Sequence, residues 1–66
     1  MKFIEVTKEM AVGREDYAFY HTYLNVDNII YFYENGTGSI IQTADGDRIW
    51  VAESPAEICI LLREGG

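Results

Sequence analysis

Cysteine, histidine, proline and tryptophan each occur once in the 66 residues, and two of these scarcities limit the chemistry. The lone Cys59 cannot close a disulfide within the chain. One cysteine and one histidine fall short of the four ligands, mostly Cys and His, that structural zinc takes. No metal and no cofactor is expected. Basic residues are also scarce: 5 Lys and Arg stand against 11 Asp and Glu, for a formal charge of −6. Non-specific affinity for DNA comes from cations that neutralise phosphates, so no direct DNA binding is expected. No apolar run nears the ~20 residues of a membrane helix. The opening Met1-Lys2-Phe3-Ile4-Glu5 places an acid where a signal peptide needs its apolar stretch. The expectations are no membrane association and a cytoplasmic location, the latter in keeping with a lone cysteine.

Aromatic residues, by contrast, are plentiful: five tyrosines, three phenylalanines and one tryptophan. They fall in short apolar runs parted by turn residues, a pattern of strands. Residues 3–7 alternate, with Ile4 and Val6 on one side and Phe3, Glu5 and Thr7 on the other. Residues 8–16 mix charge with Gly13 and show no period, which predicts a loop. Residues 17–24 put Tyr17, Phe19, His21 and Tyr23 on one face and Ala18, Tyr20, Thr22 and Leu24 on the other. Aromatic and β-branched side chains favour strand there, and neither face is polar. A turn or bulge at Asn25-Val26-Asp27-Asn28 leads into a strand over 29–34, also apolar on both faces. Asn35-Gly36-Thr37-Gly38 and Asp45-Gly46 are hairpin turns that bound strands over 40–44 and 48–53.

A helix closes the chain. Ser54 caps it, Pro55 sits where a missing N–H costs nothing, and Glu57 stands three residues after the cap. Ile58, Leu61 and Leu62 form its apolar stripe, flanked by Ala56 and Cys59. Arg63 suits the negative end of the helix dipole, and Gly65-Gly66 stand where a C-cap belongs. The fold expected over residues 1–66 is a single small α+β domain. It has a largely antiparallel sheet of four to five strands and one C-terminal helix on one face.

Such a helix covers one face of a small sheet and leaves the other. Large exposed apolar patches are unusual on soluble monomers, so the second face is expected to meet another copy of the chain. The competing arrangement folds the loop over 8–16 across it. The candidate binding residues are Arg14, Tyr17, Phe19, Tyr20, His21, Tyr23, Tyr31, Tyr33, Arg48 and Trp50. Tyr and Trp anchor protein interfaces. Aromatic faces also stack bases while arginines hold phosphates. The partners expected are therefore a second copy, another protein, or a nucleotide-like small molecule held between subunits.

No catalytic constellation is present. His21 is the one candidate base, with Asp16 or Asp27 placed to orient it, but a lone histidine in an aromatic strand reads as a packed or interface residue. Cys59 reads as a buried inert thiol. Asp45-Gly46-Asp47 lacks the spacing and closing Glu of a calcium loop and reads as a turn. Gly36 and Gly38 join two strands with no Lys-Ser/Thr following, so they form no phosphate loop. The chain is not expected to be an enzyme.

The run Leu24-Asn25-Val26-Asp27-Asn28-Ile29, then Ile41-Gln42-Thr43-Ala44-Asp45-Gly46-Asp47-Arg48-Ile49-Trp50-Val51-Ala52-Glu53-Ser54, then Glu57-Ile58, resembles the FlbD-type small flagellar and swarming-motility proteins. Similar short chains occur in bacteria, phages and conjugative elements. The resemblance spans residues 24–62, and residues 14–23 have no counterpart in that family. It implies a compact β-meander ending in a helix that acts in regulation through protein contacts. The acidic charge, the surplus of aromatic surface and the lack of catalytic residues lead to the expected function, a non-catalytic homo-oligomeric adaptor or inhibitor of another protein, encoded by a phage or mobile element and acting against host defence. A phage-type sponge for a nucleotide-like immune signal is the alternative.

Overall fold

The computed structural model describes residues 2–64. Its elements run β1 (Phe3–Ala11), β2 (Tyr17–Asn25), a 3₁₀ turn (Val26–Asn28), β3 (Ile29–Asn35), β4 (Gly38–Thr43), β5 (Arg48–Val51) and α1 (Pro55–Glu64). The strands form one sheet in the order β2-β1-β5-β4-β3, every neighbouring pair antiparallel. This is the small α+β architecture that the residue pattern predicts. The glycine cap expected at Gly65-Gly66 lies outside the described residues.

The turns follow from their residues. Asn35 pairs with Gly38 across the two-residue turn Gly36-Thr37, and Gly36 takes φ 61°, a left-handed conformation that favours glycine. At the next turn Gly46 adopts φ 94°, and Thr43 N–H donates to the Asp47 carbonyl at 2.9 Å. Gly38 has a different reason to be glycine: a Cβ there would stand 2.2 Å from the Val51 carbonyl oxygen. The helix start is a reciprocal capping box. Glu57 N–H donates to Ser54 Oγ at 3.2 Å, and Ser54 N–H donates to Glu57 Oε1 at 3.1 Å.

β2 and β3 are opposite edges of the sheet, yet only Val26–Asn28 separates them. Five flat strands set about 4.8 Å apart would hold their edges about 19 Å apart. Four Cα–Cα steps of about 3.8 Å reach at most about 15 Å. The sheet is therefore curled, and the 3₁₀ turn ties its edges together at one end. The concave side holds the core: Ile4, Val6, Ile41, Val51 and helix residue Ile58, with Leu24, Val26, Ile29, Phe32, Ile49, Leu61 and Leu62 packed around them. Lys2 Nζ donates to the Leu62 carbonyl at 2.6 Å, placing a cation at the negative end of the helix.

Two expectations are corrected here. Residues 8–16 are not a loop: β1 continues to Ala11, paired residue for residue with β2, and only residues 12–16 turn. The period is missing because this outer half of the hairpin extends past the helix and meets water on both sides. That segment does not fold across the second face of the sheet either. Cys59 is exposed, not buried. It neighbours Ile58 in sequence, but one residue is about 100° around a helix, and Ile58, not Cys59, takes the inward position.

Candidate binding face

The register decides which side chains share the convex face. Odd residues of β1 face odd residues of β2, Lys8 faces Val51, Trp50 faces Ile40, and Ile40 faces Tyr33. Directly opposed residues project to the same side. The side away from the helix therefore carries Tyr17, Phe19, His21 and Tyr23 from β2, Tyr31 and Tyr33 from β3, and Arg48 and Trp50 from β5. These are eight of the ten residues singled out from the sequence, and they come from three strands.

The other two lie elsewhere. Tyr20 projects to the helix side of the sheet, where the outer hairpin leaves it 49% exposed. Arg14 sits in the turn between β1 and β2, away from the face. The alternation of residues 17–24 already separates Tyr20 from Tyr17, Phe19, His21 and Tyr23. Phe3 joins the face without having been named as a candidate. The signal was present in the alternation that set Phe3, Glu5 and Thr7 opposite Ile4 and Val6.

Most of these rings are in water. Tyr23 is 66% exposed, Tyr17 and Phe19 60%, and Trp50 45%. The exception at the middle of the face is Ile40, 8% exposed between Tyr33 and Trp50 in neighbouring strands. It gives the face an apolar floor. Tyr31 and Tyr33 stand side by side, ring centroids 6.2 Å apart and tilted by 33°. Arg48 is held along the sheet by a 3.3 Å hydrogen bond from its Nε to Gln42 Oε1.

His21 is oriented by Glu5 of the adjacent strand, Nδ1 to Oε2 at 3.0 Å. Neither Asp16 nor Asp27 holds it: the first lies in the hairpin turn and the second in the 3₁₀ turn, at opposite ends of β2. Both partners of the pair are exposed, which is the setting of a weak surface contact. A groove of about 420 Å³ opens where β1 parts from β5 beyond Lys8, lined by Glu9, Ala11, Tyr17, Asn35 and Trp50.

The seam between the hairpin and the rest of the sheet is narrow. One residue pair, Lys8 with Val51, joins β1 to β5, supported by Ala52 N–H donating to the Thr7 carbonyl at 2.9 Å. Glu53 reinforces it. Its carboxylate accepts from Thr7 N–H at 2.8 Å and from Thr7 Oγ1 at 3.0 Å, while its carbonyl accepts from Ser39 Oγ at 2.8 Å. Nothing in the residue pattern around Glu53 announces this clamp, because its partners lie in other strands.

No helix among the described residues is long and apolar enough to cross a membrane. No protein-family model, curated protein or solved structure matches the chain.

Proposed function

We propose that this chain is a non-catalytic binding module that works as a homo-oligomer and docks another protein through its convex aromatic face, as an adaptor or inhibitor. The observation that supports this is the gathering of Tyr17, Phe19, Tyr23, Tyr31, Tyr33 and Trp50 on the face the helix does not cover, with their rings half or more in water. Burying exposed apolar area is worth about 25 cal/mol per Å², and rigid tyrosine and tryptophan rings are the usual anchors of such contacts. The likeness of residues 24–62 to FlbD-type regulators agrees with a role through protein contacts.

A second reading has one observation in its favour. The groove between Tyr17 and Trp50 offers two rings to a flat ligand such as a nucleobase. Glu9 on its wall opposes a phosphate, so the protein partner is the stronger reading. Thermal shift against a nucleotide panel separates the two, because a ligand at 100 times its Kd adds about 2.7 kcal/mol of stability. The adaptor reading expects no shift with any nucleotide. It also expects capture of a specific protein that Tyr31→Ala with Tyr33→Ala abolishes without unfolding the chain. A nucleotide-dependent shift lost in Trp50→Ala would replace it with the sponge.

A further inference from the structure

The homo-oligomer in that reading lacks a geometry, and the edge of β2 supplies one. In an antiparallel ladder, residues that bond inward alternate with residues whose N–H and C=O point to the other side. At both ends of the hairpin the inward bonds fall on even positions. Val26 N–H donates to the Lys2 carbonyl at 2.9 Å, and Val12 N–H donates to the Asp16 carbonyl at 3.0 Å. The register between them is unbroken, from Phe3 opposite Asn25 to Ala11 opposite Tyr17. The backbone groups of Tyr17, Phe19, His21 and Tyr23 therefore point away from β1, along a free edge of the sheet.

Such an edge is a template for another strand unless something blocks it. The opposite edge is blocked. β3 has an irregular register between Ile29 and Tyr31 and carries Glu34, two devices that discourage pairing. β2 has neither. In a chain with 11 acidic residues, Tyr-Ala-Phe-Tyr-His-Thr-Tyr-Leu-Asn holds no acid, no lysine, no arginine and no proline. The net charge of −6 disfavours self-association in general, and this strand adds no formal charge of its own to oppose it.

We propose that two copies of the chain join through β2, antiparallel and centred on His21, so that the two sheets run on as one. Full overlap of the nine-residue strand with its own copy places the two-fold axis at His21. This register sets outward-pointing residues opposite outward-pointing residues, as the hydrogen-bond alternation requires. Phe19 then stands opposite the second copy's position 23, a tyrosine, giving a cross-strand aromatic pair on each side of the axis. On the concave side Ala18 comes opposite position 24, a leucine, and Tyr20 opposite position 22, a threonine. The exposed outer hairpin of each copy so lies beside the core end of the other. Each of these paired side chains meets its partner across the new ladder by one flank only, so the pairing is carried by the backbone hydrogen bonds of the edge and by these cross-strand contacts. Antiparallel pairing keeps faces aligned, so the dimer doubles the convex aromatic face instead of covering it.

The test is amide hydrogen exchange of the full chain, read residue by residue by NMR, with sedimentation velocity on the same samples. The result expected is a dimer in which the amides of Phe19, His21 and Tyr23 are protected as strongly as those of Tyr20 and Thr22, and lose about a hundredfold in protection on dilution to monomer. His21→Pro deletes the outward N–H at the axis, a position where an edge strand tolerates proline. It weakens association at least about tenfold more than His21→Ala, which keeps the N–H. A dimer whose odd-numbered β2 amides exchange freely, and which Trp50→Ala dissociates, overturns the proposal while leaving the homo-oligomer standing as a face-to-face pair. A chain that stays monomeric at about 100 µM overturns both.

Discussion

The β1–β2 hairpin and the β3–β4–β5 meander each contain a strand that is apolar on both sides, β2 in one and β3 in the other, and they meet water very differently. In the meander Ile41 and Val51 lie sealed under the helix, and even Ile40 on the far side is covered by its neighbours. In the hairpin only the inner half is covered, at Ile4 and Val6. Beyond Lys8 the same two strands and the turn between them carry Met10, Val12, Tyr17, Phe19 and Tyr20 into solvent. Apolar content alone thus does not mark a core. Position relative to one ten-residue helix decides whether an apolar side chain is sealed or meets water.

The comparison breaks most sharply at the sealed end. Ile41→Ala removes a fully buried side chain and costs about 2–5 kcal/mol. Gly38→Ala drives a methyl into the Val51 carbonyl and costs about as much, because backbone cannot step aside. A core of this size supplies only about 3–5 kcal/mol in total, so circular dichroism at 25 °C should find both variants largely unfolded. Next comes the seam. Glu53→Ala strands the Thr7 N–H and hydroxyl, at about 1.5–3 kcal/mol for hydrogen bonds to a charged group. Amide exchange should then speed in β1 and β2 more than in β4. Equal acceleration everywhere would mean the hairpin and meander are one cooperative unit and the division drawn here is false.

The smallest effect lies in the second hairpin turn. The Thr43 hydroxyl beside Asp45 holds that carboxyl below its ordinary 3.8, with lesser help from backbone N–H groups and Asn28. A carboxyl whose folded pKa is depressed contributes stability that is fully present above 3.8 and lost as the pH falls through the folded value. Thr43→Val should therefore flatten the acid limb of the unfolding curve below that pH and leave the neutral region changed only by the loss of the hydroxyl. An unchanged acid limb would remove Asp45 from the turn's stabilisation.

The contrast between the regions also explains what could be read in advance. The meander and helix announce themselves through local chemistry. Gly36 and Gly46 stand where positive φ is needed, and Ser54 and Glu57 satisfy one another's N–H groups. The outer hairpin has no such local mark. Residues 8–11 become strand because β2 pairs with them, a contact at a distance that no window of sequence displays. The convex aromatic face was legible as far as alternation reaches. It sorts the β2 residues correctly, Tyr20 included, but the joining of β2, β3 and β5 into one surface depends on the order of strands. Glu53 and Gly38 matter through partners in other strands, and their roles stay invisible until the sheet is assembled.

The central claim is that the rings on the convex face belong to binding and not to the fold. Its most direct test is the urea-unfolding free energy of the triple replacement Tyr17→Ala, Phe19→Ala and Tyr23→Ala, taken at a concentration where the chain is monomeric. Exposed cross-strand pairs are worth about 0.2–1 kcal/mol each, so the account predicts a folded protein that loses less than Ile41→Ala does alone. A triple variant as unfolded as Ile41→Ala would show that the rings hold the monomer together.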